Sequence, residues 1–153
     1  MLNNDYRDIL RILSEEQVKF LLVGGYALAA HGHPRSTLGI DFFVMASEEN
    51  AEAVIRALKR FGAPLQGVSI EDFKKEGTIF QIGVAPWRID IITKIDGVTF
   101  ADAWPRAVVM EWEGVRLRVL SLEDLLANKR ASGRPKDLAD VQFLERLIGQ
   151  PPA

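Results

Sequence analysis

Two short apolar runs in this chain, IDFFVMA and WRIDIIT, each carry one aspartate, Asp41 and Asp90. Runs of this length and composition read as strands buried in a sheet. An unpaired charge is costly there, so each aspartate must face a polar site or meet a partner. Two carboxylates on neighbouring strands are what a magnesium site for phosphoryl transfer needs, because that ion takes hard oxygen ligands plus substrate phosphates. Salt bridges to arginines such as Arg35 and Arg88 satisfy the same requirement without any metal.

The remaining pattern surrounds these strands with helices. Leu2, Tyr6, Ile9, Leu10 and Leu13 recur at helical steps. VKFLLVGG reads as a strand ending in a glycine pair, YALAAHG as a short helix and HPRST as a loop. Ser47 suits the N-cap of a helix whose Ala51, Val54, Ile55, Leu58 and Phe61 share a face. TIFQIG and WRIDIIT form two strands joined near Val84–Pro86, ADAW is helical, and AVVMEWEGVRLRVL is a hairpin turning at Glu113–Gly114. Ser121 and Asp124 make a capping-box pattern for a helix through about Ser132. Pro135 opens a last helix with Leu138, Val141, Leu144 and Ile148 on its buried face. These elements predict an α/β chain: residues 1–153 as a single domain, one mixed sheet flanked by helices, two of them C-terminal.

Composition narrows the chemistry. A formal charge of -2 gives no general attraction for nucleic acid or anionic membrane, and the absence of cysteine removes disulfides, thiolate catalysis and cysteine-ligated zinc. The N-terminal residues lack a signal-peptide pattern and the longest apolar run is too short to span a bilayer, so a soluble, cytoplasmic protein with no membrane partner is expected. There is no Walker loop, GxSxG elbow or HExxH helix. His31 and His33 lack a third nearby ligand and read as loop residues, and Trp87, Trp104 and Trp112 as core or interface residues rather than a base-stacking platform. Gly24 and Gly25 end a strand directly before a helix. Paired glycines there let backbone amides approach a phosphate, although glycines also serve simply to turn a strand into a helix.

Taken in order, these pieces resemble the polymerase-beta-like nucleotidyltransferase superfamily, with its glycine pair, loop, Asp-x-Asp strand and later strand bearing a third Asp. LLVGGYALAAHGHPRST matches the glycine motif and loop. The resemblance is closest to the bacterial AbiEii-like group, with Thr37 two residues before the paired-carboxylate motif and LLANKRASGRPKDLAD matching that group's C-terminal motif. It runs from about Val18 to Leu147. The resemblance implies a nucleotidyltransferase fold that binds a nucleoside triphosphate with Mg2+ and transfers a nucleoside monophosphate to a hydroxyl of an RNA or protein acceptor. It also implies a toxin paired with an antitoxin protein. Gly24, Gly25, Thr37, Arg134 and Lys136 would bind nucleotide, and Asp41 and Asp90 would ligate the metal, with Asp90 alternatively acting as base. Lys129 would neutralise phosphate charge, and Asp137 and Asp140 would shape the site or complement a helix dipole.

One departure stands out. The Asp-x-Asp motif reads Gly39–Ile40–Asp41, so its first carboxylate is missing. An engineered inactivation, a natural loss of activity and a site using another ligand all remain open. The alternative function is therefore a catalytically inactive nucleotide- or protein-binding module of the same fold. Since strand side chains repeat every two residues, Gly39→Asp is expected to place a carboxylate beside Asp41 at little cost to folding.

Overall fold

The computed structural model describes residues 3–33 and 37–149. Leu2, Pro34, Arg35 and Ser36 lie outside the described residues, so the expectations for the start of the first helix, for most of the HPRST loop and for Arg35 as a pairing partner are not addressed. Helix α1 (Asn4–Glu15) starts where the Asn3 carboxamide accepts a bond from the Tyr6 N–H at 2.8 Å. It buries Tyr6, Ile9, Leu10, Ile12 and Leu13. Strand β1 (Phe20–Val23) passes at Gly24 into helix α2 (Gly24–Ala30), and β2 (Gly39–Val44) leads to α3 (Glu48–Phe61). The Ser47 hydroxyl caps α3 through the Asn50 N–H, and Gly62 ends it in the left-handed conformation.

A short helix α4 (Ile70–Phe73), which the sequence reading passed over, precedes the antiparallel pair β3 (Ile79–Ile82) and β4 (Arg88–Ile92). Its signal was present: the Asp72 carboxylate accepts from the Ser69 N–H at 2.9 Å, half of a capping box spelled Ser-x-x-Asp. Helix α5 (Phe100–Arg106), the hairpin β5 (Val108–Trp112) and β6 (Val115–Val119), and helices α6 (Leu122–Ser132) and α7 (Leu138–Gly149) complete the described chain. A 3-10 turn at Pro135–Asp137 separates the last two helices.

The six strands form one mixed sheet in the order β3-β4-β2-β1-β6-β5. β1 runs antiparallel to β2 and parallel to β6, while β2 runs parallel to β4. The central strands are covered on both faces, which is why β1 and β2 read as continuous apolar runs. Phe20 meets Phe42 edge-on at 5.5 Å, and Phe43 meets Phe100 at 5.2 Å. No helix among the described residues is long and apolar enough to cross a membrane.

Two readings of the C-terminal helices change. The Ser121 hydroxyl does accept from the Asp124 N–H, but the Asp124 carboxylate binds Arg106 at 2.8 and 3.1 Å instead of closing a capping box. A guanidinium fork outcompetes a single backbone amide for it. Leu138, assigned to a buried face, is 62% exposed, and the inward positions nearby belong to Asp137 and Asp140. Apolar periodicity cannot show that carboxylates take the interior when a buried cation is there to receive them.

A buried amide fixes the sheet against α3. The Asn50 side chain accepts from the Lys19 N–H at 2.7 Å and donates to the carbonyls of Lys19 at 3.1 Å and Met45 at 2.9 Å. It thus joins the start of β1, the end of β2 and the first turn of α3. Asn50→Ala removes three bonds to backbone groups, of which the Lys19 carbonyl keeps the Met45 N–H at 3.1 Å, and is expected to cost about 3 kcal/mol, read as a lower midpoint in urea unfolding followed by circular dichroism.

Candidate active site

Asp41 and Asp90 lie side by side because β2 and β4 pair in parallel with these residues in register, and Val23, the last residue of β1, faces Asp41 from the other side. Gly24 follows directly, at φ +72°, and a Cβ on it would collide with the Asp41 carboxylate. Glycine is required there twice over, by backbone conformation and by space. At Gly25 a Cβ would come within 2.9 Å of the Thr37 side chain, so this glycine lets Thr37 close against the turn. The Thr37 hydroxyl donates to the Gly39 carbonyl at 2.9 Å, which makes Thr37 a brace for the start of β2.

Asp90 is buried, at 6% exposure, and Arg88, two residues earlier, grips both of its oxygens: Nε lies 3.0 and 3.3 Å from them and Nη2 lies 3.2 Å from Oδ2. The arginine partner weighed from sequence is therefore present at Asp90. Asp41 has no such clamp. Burial, and then the charge and hydrogen bonding of Asp90, push its carboxyl up to about 7, against which Arg88 and Lys129 act only in part. Two carboxylates in contact on a covered sheet want a cation between them. Gly24 lets the turn backbone pack against the Asp41 carboxylate, and the pair of oxygen-bearing groups suits one divalent, oxygen-seeking ion such as magnesium. No group of three or more His, Cys, Asp and Glu residues arranged to hold a metal occurs among the described residues.

Beneath the site, Tyr6 donates its hydroxyl to the Arg88 carbonyl at 2.9 Å, and packs edge-on against Tyr26 at 5.4 Å. Burial raises its phenol to about 12, with the neighbouring Tyr26, Asp41 and Asp90 adding to the effect, so it remains a donor. The sequence reading counted Tyr6 only as part of an apolar stripe, since nothing in helical spacing says where a phenol oxygen will end.

Gly39 stands opposite Arg88 in the same register. A Cβ there would run into the Arg88 carbonyl oxygen and lie 2.9 Å from the Arg88 Cβ. The expectation that Gly39→Asp would fit at little cost is thus overturned. The glycine is what permits β2 and β4 to approach this closely at the place where the motif has its first carboxylate.

Lys129 lies in a separate ionic cluster whose charge still reaches Asp41. Its ammonium is nearly buried, 3.1 Å from Asp137 and 3.2 Å from Asp140. Asp137 also accepts from Ser132 at 2.6 Å and Arg134 at 3.1 Å. Burial alone would raise its pKa, but the bonds from Ser132, Lys129 and Arg134 outweigh it and hold the group at about 2. Asp137 and Asp140 are therefore partners of Lys129, and Asp137 is not a freely solvated helix-end charge. Arg134 is exposed with its Nε on Asp137, and Lys136 is exposed. His33 stacks on Phe143 at 3.7 Å with Nε2 3.9 Å from Asp140, and His31 Nε2 meets the Leu120 carbonyl at 2.9 Å. Trp104 and Trp112 pack against the core as expected, but Trp87 is 59% exposed and so is Leu38, and both immediately precede the facing residues Arg88 and Gly39.

The model of the AbiEii family, described as the nucleotidyl transferase AbiEii toxin of a type IV toxin–antitoxin system, matches residues 8–153. The chain belongs to this family. Solved structures agree on the fold. The antibiotic-resistance factor ANT(2'')-Ia superposes with a TM-score of 0.63 at 17% identity, over 95% of this chain and 83% of that one. The lincosamide antibiotic adenylyltransferase LnuA, in a lincomycin-bound structure, gives 0.61 at 14% identity over 95% and 97% of the two chains. The Thermotoga maritima protein TM1012 gives 0.58 at 18% identity over 99% and 97%. No curated protein sequence matches the chain.

The raised pKa of Asp41 carries a sign. The folded chain keeps that proton up to about pH 7, whereas an ordinary Asp releases it near 3.8, so between these values the folded state binds more protons than the unfolded one. Stability therefore falls as pH rises across this window. Asp41→Asn, measured by urea unfolding with chelator present, is expected to flatten the fall and to be more stable than the unsubstituted chain at pH 8 by about 2 kcal/mol. Gly39→Asp is expected to move the other way, losing about 2 kcal/mol or more from overpacking at every pH. A melting temperature equal to that of the unsubstituted chain would contradict the close approach at Gly39.

Proposed function

We propose that this chain binds a nucleoside triphosphate with one magnesium ion at Asp41 and Asp90, and transfers the nucleoside monophosphate to a hydroxyl of an RNA or protein acceptor. The observation carrying this reading is the in-register pair Asp41 and Asp90 beside Gly24. Magnesium held there would offset phosphate charge and polarise the phosphorus under attack. The residues of the chain have their own parts. Asp41 offers a carboxylate beside the glycine turn, while Arg88 fixes the rotamer of Asp90 and leaves further oxygen lone pairs on it. Gly24 and Gly25 let the turn backbone lie directly against the Asp41 carboxylate and the Thr37 side chain, and Thr37 braces the turn against β2.

Lys129, Arg134 and Lys136 complete the proposed charge balance from the C-terminal side. In the structure Lys129 is committed to Asp137 and Asp140, so its field reaches Asp41 without a direct bond to phosphate being required. The exposed Arg134 and Lys136 are better placed to meet a mobile anion. Family membership supports a role as the toxin of a toxin–antitoxin pair, acting in the cytoplasm with a protein antitoxin as partner. Residues 1–153 are proposed to act as one domain.

A second reading, a catalytically silent module that binds nucleotide or protein, draws support from Gly39, where the packing excludes the missing carboxylate. The two readings separate in one experiment. Calorimetry with each of the four nucleoside triphosphates and magnesium is followed by incubation with α-labelled triphosphate and bulk RNA, cell extract, or hydroxyl-bearing antibiotics. The antibiotics test a small-molecule acceptor, because LnuA is an antibiotic adenylyltransferase. Binding and labelled product, both lost in Asp41→Asn, are expected. Binding without product in any arm establishes the silent module, and no binding at all removes the site.

A further inference from the structure

Arg88 sits where the charge arithmetic of the site changes. It faces Gly39 across the β2–β4 ladder, in the register position beside the absent carboxylate, and holds Asp90, the neighbour of Asp41. Its guanidinium uses Nε and one hydrogen of Nη2 on Asp90; Nη1 has no partner among the described residues. The side chain, beside the carboxylate pair, is 31% exposed and carries these donors uncommitted. Arginine offers such donors as a planar fork matched to phosphate oxygens.

The consequence is electrostatic. Three carboxylates with the same guanidinium would carry a formal charge of about -2, so one divalent ion would only neutralise the cleft. Two carboxylates and one guanidinium carry a formal charge of -1, so a single divalent ion makes the same cleft positive. Gly39 is what allows the β4 backbone, and with it the Arg88 Cβ, to come this close to β2. The loss at position 39 and the cation at position 88 are therefore one structural arrangement.

We propose that Arg88 is a phosphate-binding residue of this site, contacting the triphosphate through Nη1 and supplying positive charge that lets the site work with a single divalent ion. The proposal rests on the triphosphate-binding reading above. It assigns Arg88 two simultaneous partners, the Asp90 carboxylate and the anionic ligand. The guanidinium geometry permits both, because the carboxylate and the phosphate would use different edges of the fork.

The test uses inorganic tripolyphosphate, which removes the question of base preference, together with the four nucleoside triphosphates. Affinities are measured by calorimetry, in magnesium and in chelator, for the unsubstituted chain, Arg88→Lys and Arg88→Met. Bound manganese is counted from the loss of the free-ion spin-resonance signal at saturating triphosphate. The expected results are one manganese per chain, measurable triphosphate affinity in chelator, and a drop of at least tenfold for Arg88→Met in both conditions. Arg88→Lys keeps a charge near Asp90 but loses the fork, so it is expected to fold and still bind severalfold more weakly. It therefore decides the matter if Arg88→Met does not fold. Equal affinity in the unsubstituted chain and Arg88→Lys, or two manganese ions per chain, overturns the role of Arg88 while leaving the triphosphate site standing. Failure of the unsubstituted chain to bind any of these ligands overturns both.

Discussion

The contact between Asp41 and Asp90 is the constraint to which the rest of the molecule answers. Two carboxylates brought side by side on a covered sheet repel each other and lose water together. The surroundings absorb this in two different ways: a guanidinium clamps Asp90, and Asp41 keeps a proton to near neutrality. The glycine turn after β1 exists in this form because any side chain at Gly24 would occupy the space of the Asp41 carboxylate. Even the buried phenol of Tyr6 belongs to this arrangement, since it ties the Arg88 carbonyl to the first helix. A fold that only needed stability would place hydrophobes at positions 41 and 90.

A second ionic cluster shows the opposite solution. Lys129 is balanced by Asp137 and Asp140, with Ser132 and Arg134 completing the bonds to Asp137. Here the charges are mutually satisfied within the chain, so Asp137 is held far below the ordinary carboxylate range. The two groups of charges thus differ in their balance: the cations of one hold a carboxylate far down, and the pair of the other leaves Asp41 raised.

Much of this was legible in the sequence. Hydrophobic period marked α1, α3 and the central strands, because their faces are buried in the regular way that periodicity measures. Asp41 and Asp90 stood out as charges inside apolar runs, and the glycine pair as a turn before a helix. What stayed hidden depended on register. That Gly39 faces Arg88, and that Arg88 folds back onto Asp90, follows from which residue of β2 pairs with which of β4, and no single strand contains that information. The exposure of Trp87 and Leu38 was invisible for the same reason, as both lie at strand starts whose neighbours come from distant sequence. Of the α7 face, Val141, Leu144 and Ile148 pack inward as read, and only Leu138 was misplaced, because the spacing of apolar residues does not reveal carboxylates drawn inward by Lys129.

The close packing of Gly39 against the Arg88 backbone also bears on how such a chain can change over generations. Once the two strands have settled at this spacing, position 39 is no longer an independent site: its tolerance depends on where the β4 backbone lies. A return to an acidic residue there requires β4 to withdraw first, and that withdrawal carries Arg88 away from its place beside the ladder and loosens the clamp on Asp90. Neither step is favourable by itself. The residue at position 39 and the placement of Arg88 are therefore coupled by geometry, so a substitution at one is felt at the other.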